Sequence, residues 1–490
     1  MRRYWIPILL AGFFSTFMMK VGSDPFFGDA ISTVSRVALN IYDSDFTDLS
    51  YPERRDPGHP ILIPLIHAVL WKITGVSLWT SHFFNSLFTI ALLLTILKWF
   101  KRSEADEYLT FLSWTLILVT PLFLAQTAML NTHLALTAFV FLAAYAWRFD
   151  KRTLFIIASC LAVLTHLQAV FYIIALFLCF ALDRLQQSRS KILKADIIDA
   201  LRWFTPSALI FVLWGIYHYS LEGWAFSSVD YGAHRGFPGF KRFVVNLVLS
   251  DWRILDYGQI ALVIPAIWIF ARTFALRKSY QIWKHPASIF LILYFFNALA
   301  ISATTTTGPA HRYFLPVLPF LVMASAEAFV RIKLGYRLSL LLVLLSGHFW
   351  FYPGKIVGDA TLQYRSAIDL LDEVKAEVPG KEVYSFAPLG NPSREMYLKV
   401  GVSPLKSLYD QPLNSVSYVL HSNVSGDFST EELELLRTQW HATSYEKGRI
   451  WFNLYANPDS VPDKPEGWQL REPSSAERWM EGLKKKFKGE

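Results

Sequence analysis

The chain has 490 residues, 53% of them hydrophobic and 16% aromatic, and a formal net charge of +8. Its mean hydropathy is +0.31, yet the apolar residues gather in long runs ahead of a final third of ordinary soluble composition, unlike a soluble chain of several domains. The basic residues fall in short clusters between those runs, which excludes a nucleic-acid surface. The two cysteines, Cys160 and Cys179, lie within apolar runs, which excludes a disulfide framework.

At the N-terminus, Arg2 and Arg3 precede an apolar run that Lys20 closes, with no small-x-small cleavage site. A signal anchor is expected there. By the length criterion of about 20 largely apolar residues, about eleven spans are expected. They cover 5–19, 80–97, 108–125, 134–147, 154–165, 169–182, 204–219, 259–274, 287–303, 313–330 and 338–351, the fifth being short enough to be re-entrant. The basic clusters at 2–3, 98–102, 148–152, 184–194, 272–284 and 331–337 alternate in side, so the positive-inside rule places them and the N-terminus in the cytoplasm. The expected fold is a polytopic α-helical membrane domain, 1–352, with a first extracytoplasmic loop at 21–79. A small extracytoplasmic α/β domain, 353–490, follows.

Within the first loop, Ile31, Val34, Val37, Ala38 and Ile41 recur at helical spacing after Asp29. This predicts an amphipathic helix of about three turns lying at the membrane interface. Asp29 takes the N-cap position, where an aspartate is favoured by about 1 kcal/mol. The same carboxylate at a membrane surface is also a candidate base, because low dielectric raises its basicity. Next comes "YPERRDPGHPIL". Pro60 opens a helix with His59 as N-cap and Gly75 as its stop, while Pro64 shifts its start or bends it. A histidine so placed points from a helix N-terminus, which receives anions such as phosphate.

Farther on, the long loop before the eighth span carries "AHRGFPGFKRF". Arg235, Lys241 and Arg242 lie there on the side that the positive-inside rule depletes, so they are either phosphate ligands or ordinary loop charge. In the tail, "DATLQYRSAIDLLDEVKAEV" has helical spacing, and "EVYSF", "SVSYVL" and "RIWFNLY" read as strands. Ser429 with Glu432 makes a capping box for the helix "EELELLRTQW". The tail has no phosphate loop, metal-spaced cysteines or nucleophile elbow, so its expected role is to support or select the acceptor.

Taken together, Gly28-Asp29-Ala30, the amphipathic helix and Gly58-His59-Pro60-Ile61-Leu62 resemble the first loop of the GT-C integral-membrane glycosyltransferases. The likeness is to the branch of lipid A aminoarabinose transferases and protein O-mannosyltransferases. "AMLNTHLALTAFVFLAAY", "LTHLQAVFYIIALFL" and "GPAHRYFLPVLPFL" resemble later elements of that branch, in the same order and sidedness. The chain departs from it in three places. Ala30 stands where relatives have a second carboxylate, Asn131 replaces a further acidic residue, and His166 replaces a lysine.

The resemblance implies transfer of one sugar from a polyprenyl-phosphate donor to a lipid, glycan or protein acceptor at the extracytoplasmic face, with no nucleic-acid partner. It implies Asp29 as the catalytic carboxylate and His59 and Arg312 as ligands of the donor phosphate, with Arg235, Lys241 and Arg242 as further candidates. Asp56, Asn131, His133, His166 and Tyr313 are expected in the acceptor or sugar pocket. The cofactor is left open, a divalent cation being the candidate. The expected location is the inner membrane of a bacterium. Two other classes would suit several spans with interfacial charges: a glycolipid transporter or flippase, and a polysaccharide ligase. A transporter would favour internal repeats and midplane charges, and neither is present in the sequence.

Overall fold

The computed structural model describes residues 5–52, 58–187, 194–226, 236–275, 282–350, 360–386, 389, 393–399, 405–408, 411–424, 428–475 and 478. The chain forms two compact units, one of residues 1–22 and 32–348, the other of residues 23–31 and 349–490.

The first unit is helical. α1 (Trp5–Val21) leads to α2 (Arg36–Asp43), α3 (Leu62–Thr74) and α4 (Leu78–Arg102). α5 (Glu107–Leu118) and α6 (Pro121–Ala128) precede α7 (Thr132–Arg148), α8 (Arg152–Thr165), α9 (Ala169–Gln187) and α10 (Lys194–Glu222). α11 (Phe240–Leu255), α12 (Ile260–Ala275), α13 (Pro286–Thr304), a 3₁₀ turn (His311–Val317), α14 (Leu318–Arg331) and α15 (Leu334–Ser346) complete it.

Within the described residues all eleven apolar runs contain helix, but not eleven full spans. Among the described residues five helices are long and apolar enough to cross a membrane, or seven if each bent pair counts as one. The run 108–125 breaks at Pro121 into α5 and α6, bent by 69°. α8, with 14 residues, and α15, with 13, fall short of the roughly 20 that a bilayer core needs.

Three expectations in the loops change. The helix after Asp29 buries Val34, Val37, Ala38 and Ile41, and Val37 and Ile41 pack with Tyr51, Ile61, Ala68 and Trp214. Its apolar face is thus covered by protein rather than lipid. It starts at Asp29 and passes into a π-helical turn (Ile31–Ser35), so Asp29 lies inside its first turn instead of at the N-cap. α3 starts at Leu62 with Ile61 at its N-cap, so His59 lies upstream of the cap position. Pro64 is the reason: at the third helical position its missing N–H is one of those left unbonded anyway, so the helix registers on it. Finally, the predicted loop before the eighth span contains α11. This amphipathic helix is bent by 98° against α12, with Phe240 and Val248 exposed.

The bend between α11 and α12 is a tight backbone contact. Tyr257 and Gly258 have φ of +49° and +76°, and the turn packs against Gly347, where an added Cβ would lie 1.9 Å from the Tyr257 carbonyl oxygen. Backbone cannot step aside as a side chain can. Gly347→Ala is therefore expected to cost about 3 kcal/mol, read as a lower thermal unfolding midpoint of the purified protein.

The second unit is α/β. β1 (Val383–Ser385), β2 (Leu405–Ser407), β3 (Tyr418–Ser422), β4 (His441–Lys447) and β5 (Ile450–Ala456) form one sheet in the order β2-β1-β3-β5-β4. β1 runs parallel to β2 and β3, and β5 antiparallel to β3 and β4. α16 (Tyr364–Glu377) packs on β4 and β5, and α17 (Ser393–Tyr397) and α18 (Thr430–Gln439) complete the unit. The capping box is formed at α18, with Ser429 Oγ accepting from Glu432 N–H and Glu432 accepting from Ser429 N–H. Residues 23–31 join this unit because Phe26 and Phe27 are buried in it, Phe27 against Tyr364 at 5.3 Å, and Asp24 pairs with Arg365 at 2.8 Å. Burial raises the Asp24 carboxyl above its usual range in spite of the guanidinium.

Candidate functional site

A cavity of about 400 Å³ opens in the helical unit, lined by His59, His166, Gln168 and Tyr313 together with Phe171, Phe211, Phe226, Phe237 and Thr304. His166 ends α8 in extended conformation, at the end of that helix remote from Arg148, Lys151 and Arg152. Three imidazoles meet there. The His59 and His166 rings lie 3.8 Å apart between centroids, and those of His166 and His133 lie 4.6 Å apart. His133 stacks in turn on Tyr313 at 5.7 Å, and the Arg312 guanidinium lies over the Tyr313 ring at 5.3 Å.

The hydrogen bonds set which ring nitrogens carry protons. The Gln168 backbone N–H donates to His166 Nδ1 at 3.1 Å, so in the neutral ring the proton sits on Nε2. His166 is thus a donor whether neutral or charged. His133 Nδ1 lies 3.1 Å from Asn131 Oδ1, which fits an Nδ1–H donating to the amide oxygen. Asn131 itself is the N-cap residue of α7 and also accepts from the Thr132 hydroxyl at 3.2 Å.

The structure brings together His59, Asn131, His133, His166, Arg312 and Tyr313, from four separated stretches of chain. Lys241 and Arg242 are exposed on the first turn of α11 and do not line the cavity, to which that segment contributes Gly236 and Phe237. Arg235 and Asp56 lie outside the described residues. Asp29 is exposed in the second unit, after Gly28 at φ +59°, on a turn where Ile31 N–H donates to the Gly28 carbonyl at 3.1 Å.

Sequence reasoning missed four buried polar residues. Gln168, Tyr172 and Asn297 all donate to the Tyr313 carbonyl, and Asp256 accepts from His311 Nε2 at 2.8 Å. A signal existed for Asn297, a lone amide inside the apolar run "YFFNALA".

The imidazoles are tilted against one another, by 32° and 55°, and among the described residues no group of three or more His, Cys, Asp or Glu is arranged to hold a metal ion.

A polytopic helical unit with a small α/β unit after its last helix, and a cavity of imidazole and aromatic groups at one end of its helices, has the fold of the GT-C integral-membrane glycosyltransferases. The chain is similar to ArnT from Cupriavidus metallidurans, a lipid A aminoarabinose transferase. Against its structure bound to undecaprenyl phosphate the TM-score is 0.51 at 12% identity, over 92% of this chain and 98% of that one. Against the apo structure the TM-score is again 0.51 at 12% identity, over 94% and 99%. The oligosaccharyltransferase of Archaeoglobus fulgidus matches at a TM-score of 0.48 and 12% identity, over 97% of this chain and 77% of that one. No protein-family model matches the sequence, and no curated protein matches it.

Proposed function

We propose that the protein is a glycosyltransferase that moves a single sugar from a polyprenyl-phosphate donor to an acceptor at the extracytoplasmic face of a bacterial inner membrane. The observation that carries this reading is the cavity, in which the His59 and His166 imidazoles stand beside aromatic walls, with the Arg312 guanidinium packed on the Tyr313 ring that lines it. Phosphate oxygens suit the first group and sugar faces the second.

An adjoining cavity supports it further. About 280 Å³ in volume, it shares Val170 and Phe211 with the first and is walled by Ile173, Ile174, Phe177, Phe204 and Val212 of α9 and α10. Ile174, Phe177 and Val212 are also exposed on the outer face of the helices, which suits a prenyl chain entering from lipid.

In the proposed reaction the acceptor's O–H or N–H oxygen or nitrogen forms a bond to the anomeric carbon. The anomeric C–O bond to the lipid phosphate breaks, its electron pair leaves on polyprenyl phosphate, and the acceptor proton passes to the Asp29 carboxylate. Arg312 and the His166 N–H stabilise the charge that grows on the departing phosphate. The purified protein should transfer labelled sugar from a polyprenyl-phosphate donor. Movement of intact donor across vesicles without transfer would make it a flippase, and transfer of whole glycans only would make it a ligase.

The proposed topology has its own test. Glu431 is exposed on the first turn of α18 and suits a reporter cysteine. Glu431→Cys is expected to react with a membrane-impermeant thiol reagent in intact cells. Labelling only after lysis would place the second unit in the cytoplasm.

A further inference from the structure

The carbonyl of Tyr313 is left without its normal partner by the sequence itself. In a 3₁₀ helix each carbonyl accepts from the N–H three residues on. For Tyr313, in the turn His311–Val317, that residue is Pro316, which has no N–H. Buried carbonyls are nearly always paired, so a partner has to come from elsewhere.

Three side chains supply it. Gln168 Nε2 donates at 2.7 Å, Asn297 Nδ2 donates at 3.1 Å, and the Tyr172 hydroxyl also donates. Gln168 Nε2 gives its other hydrogen to Asn297 Oδ1 at 2.9 Å, so the two amides hold each other's orientation. Tyr172 and Asn297 are wholly buried and Gln168 nearly so. On the other side of Arg312, His311 Nε2 donates to Asp256 at 2.8 Å and Arg253 Nε donates to the Pro309 carbonyl at 3.1 Å. The chain is thus gripped immediately before and immediately after Arg312.

We propose that Gln168, Tyr172 and Asn297 are positioning residues that fix the turn presenting Arg312 and Tyr313 to the lipid phosphate. The inference rests on the phosphate role of Arg312 proposed above. One donor would satisfy the carbonyl, whereas three, from α9, the turn that precedes α9, and α13, also fix its direction. A long guanidinium side chain whose base is held still loses less freedom on meeting an anion, which is how preorganisation raises affinity.

The test is a double-mutant cycle on the whole protein in nanodiscs, with undecaprenyl phosphate as probe. Tyr172→Phe combined with Asn297→Leu removes two donors, and neither residue lines the cavity. That variant is expected to bind the probe about tenfold more weakly, as for a misplaced group. Added to Arg312→Ala, the same two changes should cause no further loss, because they act through Arg312. An equal loss in both backgrounds, or an unchanged Kd with Arg312 present, would overturn the clamp alone. Full affinity in Arg312→Ala would overturn both the clamp and the phosphate role beneath it. If the double variant does not fold, Tyr172→Phe alone removes a single hydroxyl and should show a smaller loss with the same dependence on Arg312.

Discussion

Arg312→Ala is expected to lower affinity for a polyprenyl-phosphate donor by more than tenfold, because one charge-assisted contact is worth on the order of 2 kcal/mol. Arg312 is half-buried at the end of α13 and α14 where the cavity opens, in the turn that precedes α14. Its guanidinium lies over the Tyr313 ring, and a planar guanidinium can grip two phosphate oxygens at once. A lysine ammonium is a point charge and cannot reproduce that geometry, so Arg312→Lys should weaken donor use noticeably but less than alanine does. The competing role is a salt bridge to a loop carboxylate such as Asp56, in which case Arg312→Ala would lower stability and leave donor affinity intact. Measuring donor binding and thermal unfolding on one preparation separates the two. Unchanged affinity would rule out the phosphate role.

Asp29→Asn should reduce transfer at least about hundredfold, the lower end of what a positioned base contributes. The side chain is exposed and the substitution keeps its shape, so expression and unfolding should stay as in the wild type. Phe26 and Phe27 anchor the segment, and Phe26 N–H donates to the Met396 carbonyl at 2.8 Å. Turnover within a few-fold of wild type would reduce Asp29 to a residue of the first helical turn.

Much of the architecture is legible without coordinates wherever a local rule decides it. Apolar runs mark helices because a backbone in lipid must satisfy its own hydrogen bonds. The box at Ser429 and Glu432 was readable because both partners lie within one turn. β5 showed its alternation, whereas β2 has only three residues and β4, "HATSYEK", is a polar edge strand with no buried period to detect. The helix 36–43 displays an apolar face in its sequence, but the pattern does not say whether lipid or Trp214 covers it.

The site divides in the same way. Sequence alone marked the candidates at the helix ends: His59, His133, His166 and Arg312 each stand out as ionisable groups beside apolar runs. Only the tertiary structure decided that their side chains meet, since His59 and His166 are 107 positions apart in the numbering yet their rings lie 3.8 Å apart. It also decided which charges stay out, as with Lys241 and Arg242 on exposed α11. The physical reason is that helix periodicity and bilayer length act along the chain, whereas the partner of a buried amide or imidazole is chosen by how helices pack. Pro316 shows both at once. Its missing N–H could be read from the sequence, but only the packing of α9 and α13 determined that Gln168, Tyr172 and Asn297 would take its place.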